Sequence, residues 1–236
     1  MRLFISKNKK SGDKKAFKLI KEQILRKKDA LIGLAVGKTT DSLYSLISKD
    51  VTKNKQSWKK VKLFQIDENL GIPSSSPLSF NYEIRKELSN LFKIVNPKNI
   101  FLIDGRDKPH ITIKKAYKFL KLHGGIDLLI LGIGPEYDPH IAYNTTGKSS
   151  LDSKMRMVEL HPTVRACRGK PYGITIGIKD ILNAKKILLL AYGKEKSKSI
   201  RLAFYGNVNM KRASASALQL HKDLIVVTDG EAGKYL

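Results

Sequence analysis

The chain is 236 residues long, 42% hydrophobic and 28% charged, with 45 Lys and Arg against 21 Asp and Glu for a formal charge of +24. No apolar run approaches the roughly 18 uninterrupted residues that a membrane span requires, and the opening MRLFISKNKK lacks the apolar stretch of a secretory leader, so a cytoplasmic protein is expected. The single cysteine, Cys167, excludes an internal disulfide framework and any multi-cysteine metal site.

In chain order, Arg2 to Ile5 reads as a short strand and Asp13 to Lys27 as a helix with Phe17, Ile20, Ile24 and Leu25 on one face. Ala30 to Ala35 is a buried strand, and Gly37-Lys38-Thr39-Thr40 turns the chain into a helix carrying Leu43, Leu46 and Ile47. Val61 to Ile66 is a third strand, with Asp67 at its end. The Pro- and Ser-rich loop Gly71 to Leu78 leads into a helix from Ser79 to Leu91. A strand near Asn99 to Ile103, a helix from Ile111 to His123 and a strand from Ile126 to Leu131 follow. Tyr143 to Pro171 reads as a long irregular segment, suited to a lid or interface rather than a spacer. Strand Gly173 to Ile178, a short helix near Lys179 to Asn183, strand Lys186 to Ala191, helix Glu195 to Phe204 and strand Leu224 to Thr228 complete the series. Strands alternating with helices, and strands apolar on both faces, predict an α/β fold with a largely parallel sheet and helices on both faces, in a single domain over residues 1–236.

The excess of lysine invites a nucleic-acid reading, since clustered lysines gain affinity by releasing counterions from phosphates. Here the lysines are spread in pairs over most predicted helices and turns, among them Lys9-Lys10, Lys27-Lys28, Lys114-Lys115 and Lys185-Lys186. That pattern fits solvated faces or the attraction of a small anionic substrate better than a nucleic-acid surface. A membrane partner is not expected.

Three places can carry chemistry. Gly33 to Thr39, GLAVGKT, looks like a nucleotide-binding loop but has three residues, not four, between its first Gly and the Gly-Lys pair. A strand, a Gly-rich turn and a helix start still present free N–H groups to a phosphate. Asp67 of Asp67-Glu68 follows an apolar strand, where partial desolvation raises a carboxylate toward a useful general base; capping of the next turn is the competing role. Asp138 and His140 follow the Gly-rich corner after Ile126 to Leu131, where an acid two residues from a histidine can orient it. The other histidines are scattered and supply no third ligand at metal-site spacing, so no metal and no cofactor are expected. Cys167, between Arg165 and Arg168, is either a bystander or a thiol of lowered pKa.

The pieces MRLFI, GLAVGKTT, FQIDENLGIP, GGIDLLILGIG…DPHIAYN, YGITIGI, and GNVN followed by SALQLHKDLIVVTD occur in an order that resembles the glucosamine-6-phosphate deaminase family over nearly the full chain, and more distantly the 6-phosphogluconolactonases. The resemblance implies a modified doubly wound, Rossmann-like fold and a phosphorylated sugar substrate. It implies that Asp67 moves a proton between the first two sugar carbons and that Asp138 and His140 open the sugar ring. Gly37, Lys38 and Thr39 would hold the phosphate, aided by Arg168 and by Lys196. It also implies an oligomer as one outcome; the family's effector segment corresponds to Ser149 to Glu159, with Arg156 the residue that carries over, but the adjoining loop departs from the family's pattern at Lys148, so no effector is expected from the resemblance.

Three departures bear on activity. The family's Asp-Gly-His is Asp138-Pro139-His140 here, two extra residues separate Gly134 from Asp138, and the family's Asn-Glu-Pro is Asn144-Thr145-Thr146. The missing glutamate completes the ring-opening relay in the deaminases, and Glu136, in the insertion, is the candidate replacement. The expectation is aldose–ketose isomerisation with deamination of an amino-hexose 6-phosphate. The alternatives are a phosphosugar lactonase, favoured a little by GIGPE, and a sugar-phosphate-binding protein without turnover.

Overall fold

The computed structural model describes the backbone of residues 1–236 and every side chain except those of residues 166–168. The elements run β1 (Arg2–Ser6), α1 (Lys9–Arg26), β2 (Leu31–Leu34), α2 (Asp41–Lys53), α3 (Lys55–Trp58), β3 (Lys62–Gln65), β4 (Asp67–Asn69), α4 (Phe80–Glu87), α5 (Ser89–Phe92), β5 (Ile100–Phe101), α6 (Pro109–His123), β6 (Leu128–Gly132), β7 (Arg156–Glu159), α7 (Pro162–Arg168), β8 (Tyr172–Thr175), α8 (Ile178–Leu182), β9 (Ile187–Ala191), α9 (Ser197–Phe204) and β10 (Leu224–Asp229).

Among the described residues, seven strands pair in parallel in the order β1-β10-β9-β6-β2-β3-β5. Inner strands of such a sheet are covered on both faces, which is why they read as unbroken apolar runs. On β6, Leu128 and Ile130 enter one core with Ile32, Leu188 and Val227, while Leu129 and Leu131 enter the other with Leu31, Phe64 and Leu189. The helix-flanked, largely parallel α/β architecture is the one the alternation predicts. The chain leaves β2 outward to β3 and β5, and leaves β6 in the opposite direction to β9 and β10. That reversal between adjacent strands opens a crevice beyond their carboxyl ends.

Several boundaries differ from the sequence reading, each for a local reason. Helix α1 starts at Lys9 because Asn8 and Ser11 form a reciprocal capping box, the Asn8 side chain accepting from Ser11 N at 3.0 Å. Leu25, expected on the buried face, is exposed. The single helix expected from Ser79 to Leu91 is broken at Leu88 into α4 and α5. The segment 143–171 is not irregular throughout, since it contains β7 and α7. A second, antiparallel sheet, β4-β8-β7, was not anticipated; in it Thr175 of β8 stands opposite both Asp67 and Arg156.

At the amino ends of the strands, Asp127 is buried and accepts from Lys27 Nζ (2.7 Å), Lys185 Nζ (2.8 Å) and Leu31 N (2.8 Å). Burial disfavours its charge, but these partners outweigh it and hold the carboxyl below its usual value. No described helix is long and apolar enough to cross a membrane.

Candidate active site

A cavity of about 730 Å³ opens beyond the carboxyl ends of β2, β3, β6, β9 and β10. Its floor and walls include the turn after β2, the corner after β6, Asp67, Tyr192 to Lys196 and Asp229. It sits at the topological reversal between β2 and β6, where an open parallel sheet delivers ligand-binding groups.

The turn Gly37–Thr40 is tight. Gly37 has φ +148, a region that favours glycine, and its carbonyl accepts from both Thr40 N (2.9 Å) and Thr40 Oγ1 (3.0 Å). Beneath it, the buried Tyr44 hydroxyl donates to Ala35 O at 2.6 Å. Gly37, Lys38 and Thr39 all line the cavity, in front of the first turn of α2. Lys38 is exposed, so its ammonium can reach a ligand in the cavity mouth.

The adjacent carboxylates Asp67 and Glu68 take different roles. Alternation along β4 puts them on opposite faces. Glu68 is saturated: it accepts from Phe80 N (3.0 Å), Asn81 N (2.8 Å), Ser79 Oγ (2.7 Å), Asn69 N (2.8 Å) and Gln65 Nε2 (3.1 Å). It therefore caps the start of α4 and braces β4, the structural task the sequence reading considered for Asp67. Asp67 is 5% exposed and borders the cavity.

His140 also borders the cavity, and its Nδ1 is 2.9 Å from Asp138 Oδ2. The other Asp138 oxygen accepts from Thr146 N at 2.8 Å. Burial opposes the Asp138 charge, but the hydrogen bond and charge of His140 and the Thr146 contacts outweigh it and bring its pKa down to about 2. With Nδ1 engaged, the other ring nitrogen is the one left for a ligand. Proline at 139 does not pull the pair apart. The corner closes through Asp138 N to Pro135 O (3.0 Å), His140 N to Asp138 O (2.7 Å) and Gly134 N to His140 O (2.8 Å). A Cβ at Gly134 would overlap the Asp138 carbonyl and sit 2.6 Å from His140 Nδ1, so only glycine fits there.

Lys196 lines the cavity from the turn preceding α9 and donates to Ile133 O at 2.7 Å; burial lowers its pKa, with Glu195 partly opposing. Glu136 is not brought to this group. Its carboxylate pairs with Lys198 at 2.8 Å on the exposed side of the corner and does not border the cavity, so the structure does not support it as a stand-in for the missing glutamate. Thr145 likewise faces elsewhere. The side chains of Arg168 and Cys167 lie outside the described residues. Lys9, Tyr192, Glu195 and Asp229 line the cavity unannounced by any motif, because helix and strand ends far apart in sequence bring them there. Tyr137, from the insertion, spans toward α7: its ring is 5.4 Å from that of His161 and its hydroxyl is 3.2 Å from Thr163 Oγ1.

A smaller cavity of about 240 Å³ borders Thr145, Lys148, Ser149 and β7. Within it Arg156 donates to Ser149 Oγ (2.9 Å) and Asn144 Oδ1 (3.1 Å), and Asn144 Nδ2 donates to Ile141 O and Ile176 O.

The profile of the family described as glucosamine-6-phosphate isomerases/6-phosphogluconolactonase matches residues 9–226. The chain is 34% identical over 248 residues to a glucosamine-6-phosphate deaminase from the Langeland strain of Clostridium botulinum, covering 100% of this chain and 99% of that one. It is 35% identical over 249 residues, with the same coverage, to the deaminase of the Loch Maree strain. Among solved structures, a monomeric glucosamine-6-phosphate deaminase superposes with a TM-score of 0.90 at 27% identity over the whole of both chains. A 6-phosphogluconolactonase from Trypanosoma cruzi superposes at 0.82 with 20% identity, covering 100% of this chain and 96% of that one, a likeness of fold alone.

Proposed function

The chain belongs to the glucosamine-6-phosphate isomerase/6-phosphogluconolactonase family, and we propose that it converts an amino-hexose 6-phosphate, water being taken up, to a ketohexose 6-phosphate and ammonia. The observation that carries this reading is that two separate acid–base groups, Asp67 and His140 with Asp138 behind it, meet at one cavity together with a glycine-rich turn at a helix start. Isomerisation needs both. His140, oriented by Asp138, delivers a proton to the ring oxygen as the C1–O bond breaks and takes up the proton that the C1 hydroxyl gives as it becomes the aldehyde. Asp67 then takes the C2 proton while His140 protonates the aldehyde oxygen, giving an enolamine, and returns its proton to C1; the iminium left at C2 adds water and releases ammonia and a proton. The phosphate rests on the N–H groups of Gly37–Thr39, with Lys38 and Lys196 offsetting its charge and Arg168 as a further candidate. The single cysteine suits a reducing compartment, and we place the reaction in the cytoplasm.

One observation favours the second reading, hydrolysis of a phosphosugar lactone. Glu136 faces Lys198 and the deaminase glutamate is Thr145, so His140 has Asp138 as its carboxylate and no second acid from the insertion. A histidine that activates water for attack on an ester carbonyl requires no more than that.

Ammonia release from glucosamine 6-phosphate, run beside hydrolysis of 6-phosphogluconolactone corrected for its spontaneous rate, separates the two. Under the deaminase reading, Asp67→Asn abolishes ammonia release and leaves ligand binding nearly intact. Full activity in Asp67→Asn would refute the proton-shuttle assignment. Lactone hydrolysis alone, lost in His140→Gln and kept in Asp67→Asn, would move the chain to the lactonase branch.

A further inference from the structure

Helix α1 reaches the cavity through Lys9, whose Nζ donates to Thr39 O at 3.1 Å, to Asp13 Oδ2 at 3.2 Å and to the Ser42 hydroxyl. The Ser42 hydroxyl in turn donates a hydrogen bond to the same Asp13 oxygen. An ammonium carries three N–H donors, and these three acceptors use them all. Lys9 therefore borders the cavity with no donor left for a ligand, and a carboxylate only 1% exposed matches its charge. Lys38, exposed at the mouth, is placed to meet an anion; Lys9 is placed to hold protein.

What it holds is the turn after β2. Glycine at 37 leaves that turn without side-chain restraint of its own backbone, and its internal bonds tie Gly37 only to Thr40. Lys9 adds a tether from a different element at Thr39 O, the carbonyl of the peptide that ends in the Thr40 N–H. The reach of the tether is set by close packing of α1. A Cβ at Gly12 would overlap the Tyr192 ring and lie 2.8 Å from its hydroxyl, so glycine lets the helix sit against that ring, with Lys9 Nζ 5.5 Å from the ring centroid.

We propose that Lys9, anchored by Asp13 and Ser42, is a positioning residue for phosphate binding: it fixes the Thr39–Thr40 peptide, whose N–H closes the turn onto Gly37 O, and so holds the turn in the shape that presents Lys38 and Thr39 to the cavity. The inference rests on the reading of this turn as the phosphate site. Preorganised donors lower the ordering cost of binding, so loosening them weakens affinity for the anion before it touches the chemistry.

The test uses the full chain with inorganic phosphate as the probe in titration calorimetry, and glucosamine 6-phosphate in steady-state kinetics. The variant Lys9→Met combined with Asp13→Asn removes the clamp without stranding a buried charge, and Ser42→Ala removes one leg of it. The double variant should raise the phosphate Kd and the KM together by about tenfold with kcat within about twofold. Ser42→Ala should move both in the same direction by less, and Lys9→Arg should restore most of the loss. Unchanged Kd and KM in variants that bind and turn over would overturn the inference alone, as would a fall in kcat at constant KM. Wild-type protein that binds neither phosphate nor the sugar phosphate would instead overturn the phosphate-site reading, and this inference with it.

Discussion

Glu87, the last residue of α4, allows a quantitative test of the electrostatics around the helices that back the site. It is half-buried, with Oε2 enclosed and lacking a hydrogen-bond partner among the described residues. Burial first, then the charges of Asp41 and Glu83, outweigh Lys86 and Lys9 and push its carboxyl from 4.5 up to about 7. The folded value lies above the unfolded one, so the native state binds more protons between those two pH values. The cost of Glu87 is therefore absent below pH 4.5, grows through the window and is complete above pH 7. At about 1.36 kcal/mol per pH unit the full displacement is worth roughly 3.4 kcal/mol, and solvent screening of a half-exposed side chain reduces it to about 1.5–2 kcal/mol. Glu87→Gln keeps the shape and removes the charge. Its melting temperature, followed by circular dichroism at constant ionic strength, should exceed that of the wild type by roughly 3–6 °C at pH 8.5 and match it at pH 4. An equal gain at both pH values, or none at pH 8.5, would refute the reasoning.

Gly134→Ala should leave the protein folded but cut kcat by about tenfold or more, because the new methyl displaces the His140 ring from Asp138; near-wild-type kcat would show that the corner yields without disturbing the pair. Lys196→Met should raise KM for a sugar phosphate by roughly 10–100-fold, the worth of one charge-assisted hydrogen bond, and move kcat little. Since burial lowers the Lys196 pKa, wild-type affinity for phosphate should fade on the alkaline side earlier than an ordinary lysine would cause, and Lys196→Met should lack that limb. Asp138, with its pKa brought down to about 2, stays ionised through the acid range, so the kcat/KM profile of the wild type should carry no Asp138 limb above about pH 3.

The parallel sheet was legible in the sequence because burial on both faces writes itself as continuous apolar runs such as Ile187–Ala191, and the helices because their amphipathic spacing differs from it. β4 was not: Asp67–Asn69 is three polar residues, and its pairing with Gly173–Thr175 depends on a contact about a hundred positions away that no local pattern encodes. For the same reason the division of labour between Asp67 and Glu68 needed the structure, since Glu68 is claimed by the start of α4. The start of α1 was within reach, because Asn8 and Ser11 stand at capping-box spacing. Glu136 went astray on direction: the insertion carries it near His140 in sequence but turns its side chain outward to Lys198. Lys9 carried only the i,i+4 spacing to Asp13 within α1, its other partners, Thr39 in the turn after β2 and Ser42 in α2, being brought to it by the fold.

The contact between Gly12 and Tyr192 makes the cavity wall one aromatic ring thick at that place, with a helix backbone directly behind it. A single methyl group added at position 12, outside the cavity, overlaps the ring, so either the ring or the helix behind it must move. The room available to a ligand is thus adjustable from behind the wall, by residues that never meet what the cavity holds. The size of residue 12 is one way for the volume of the cavity to change with every residue that faces it left as it is.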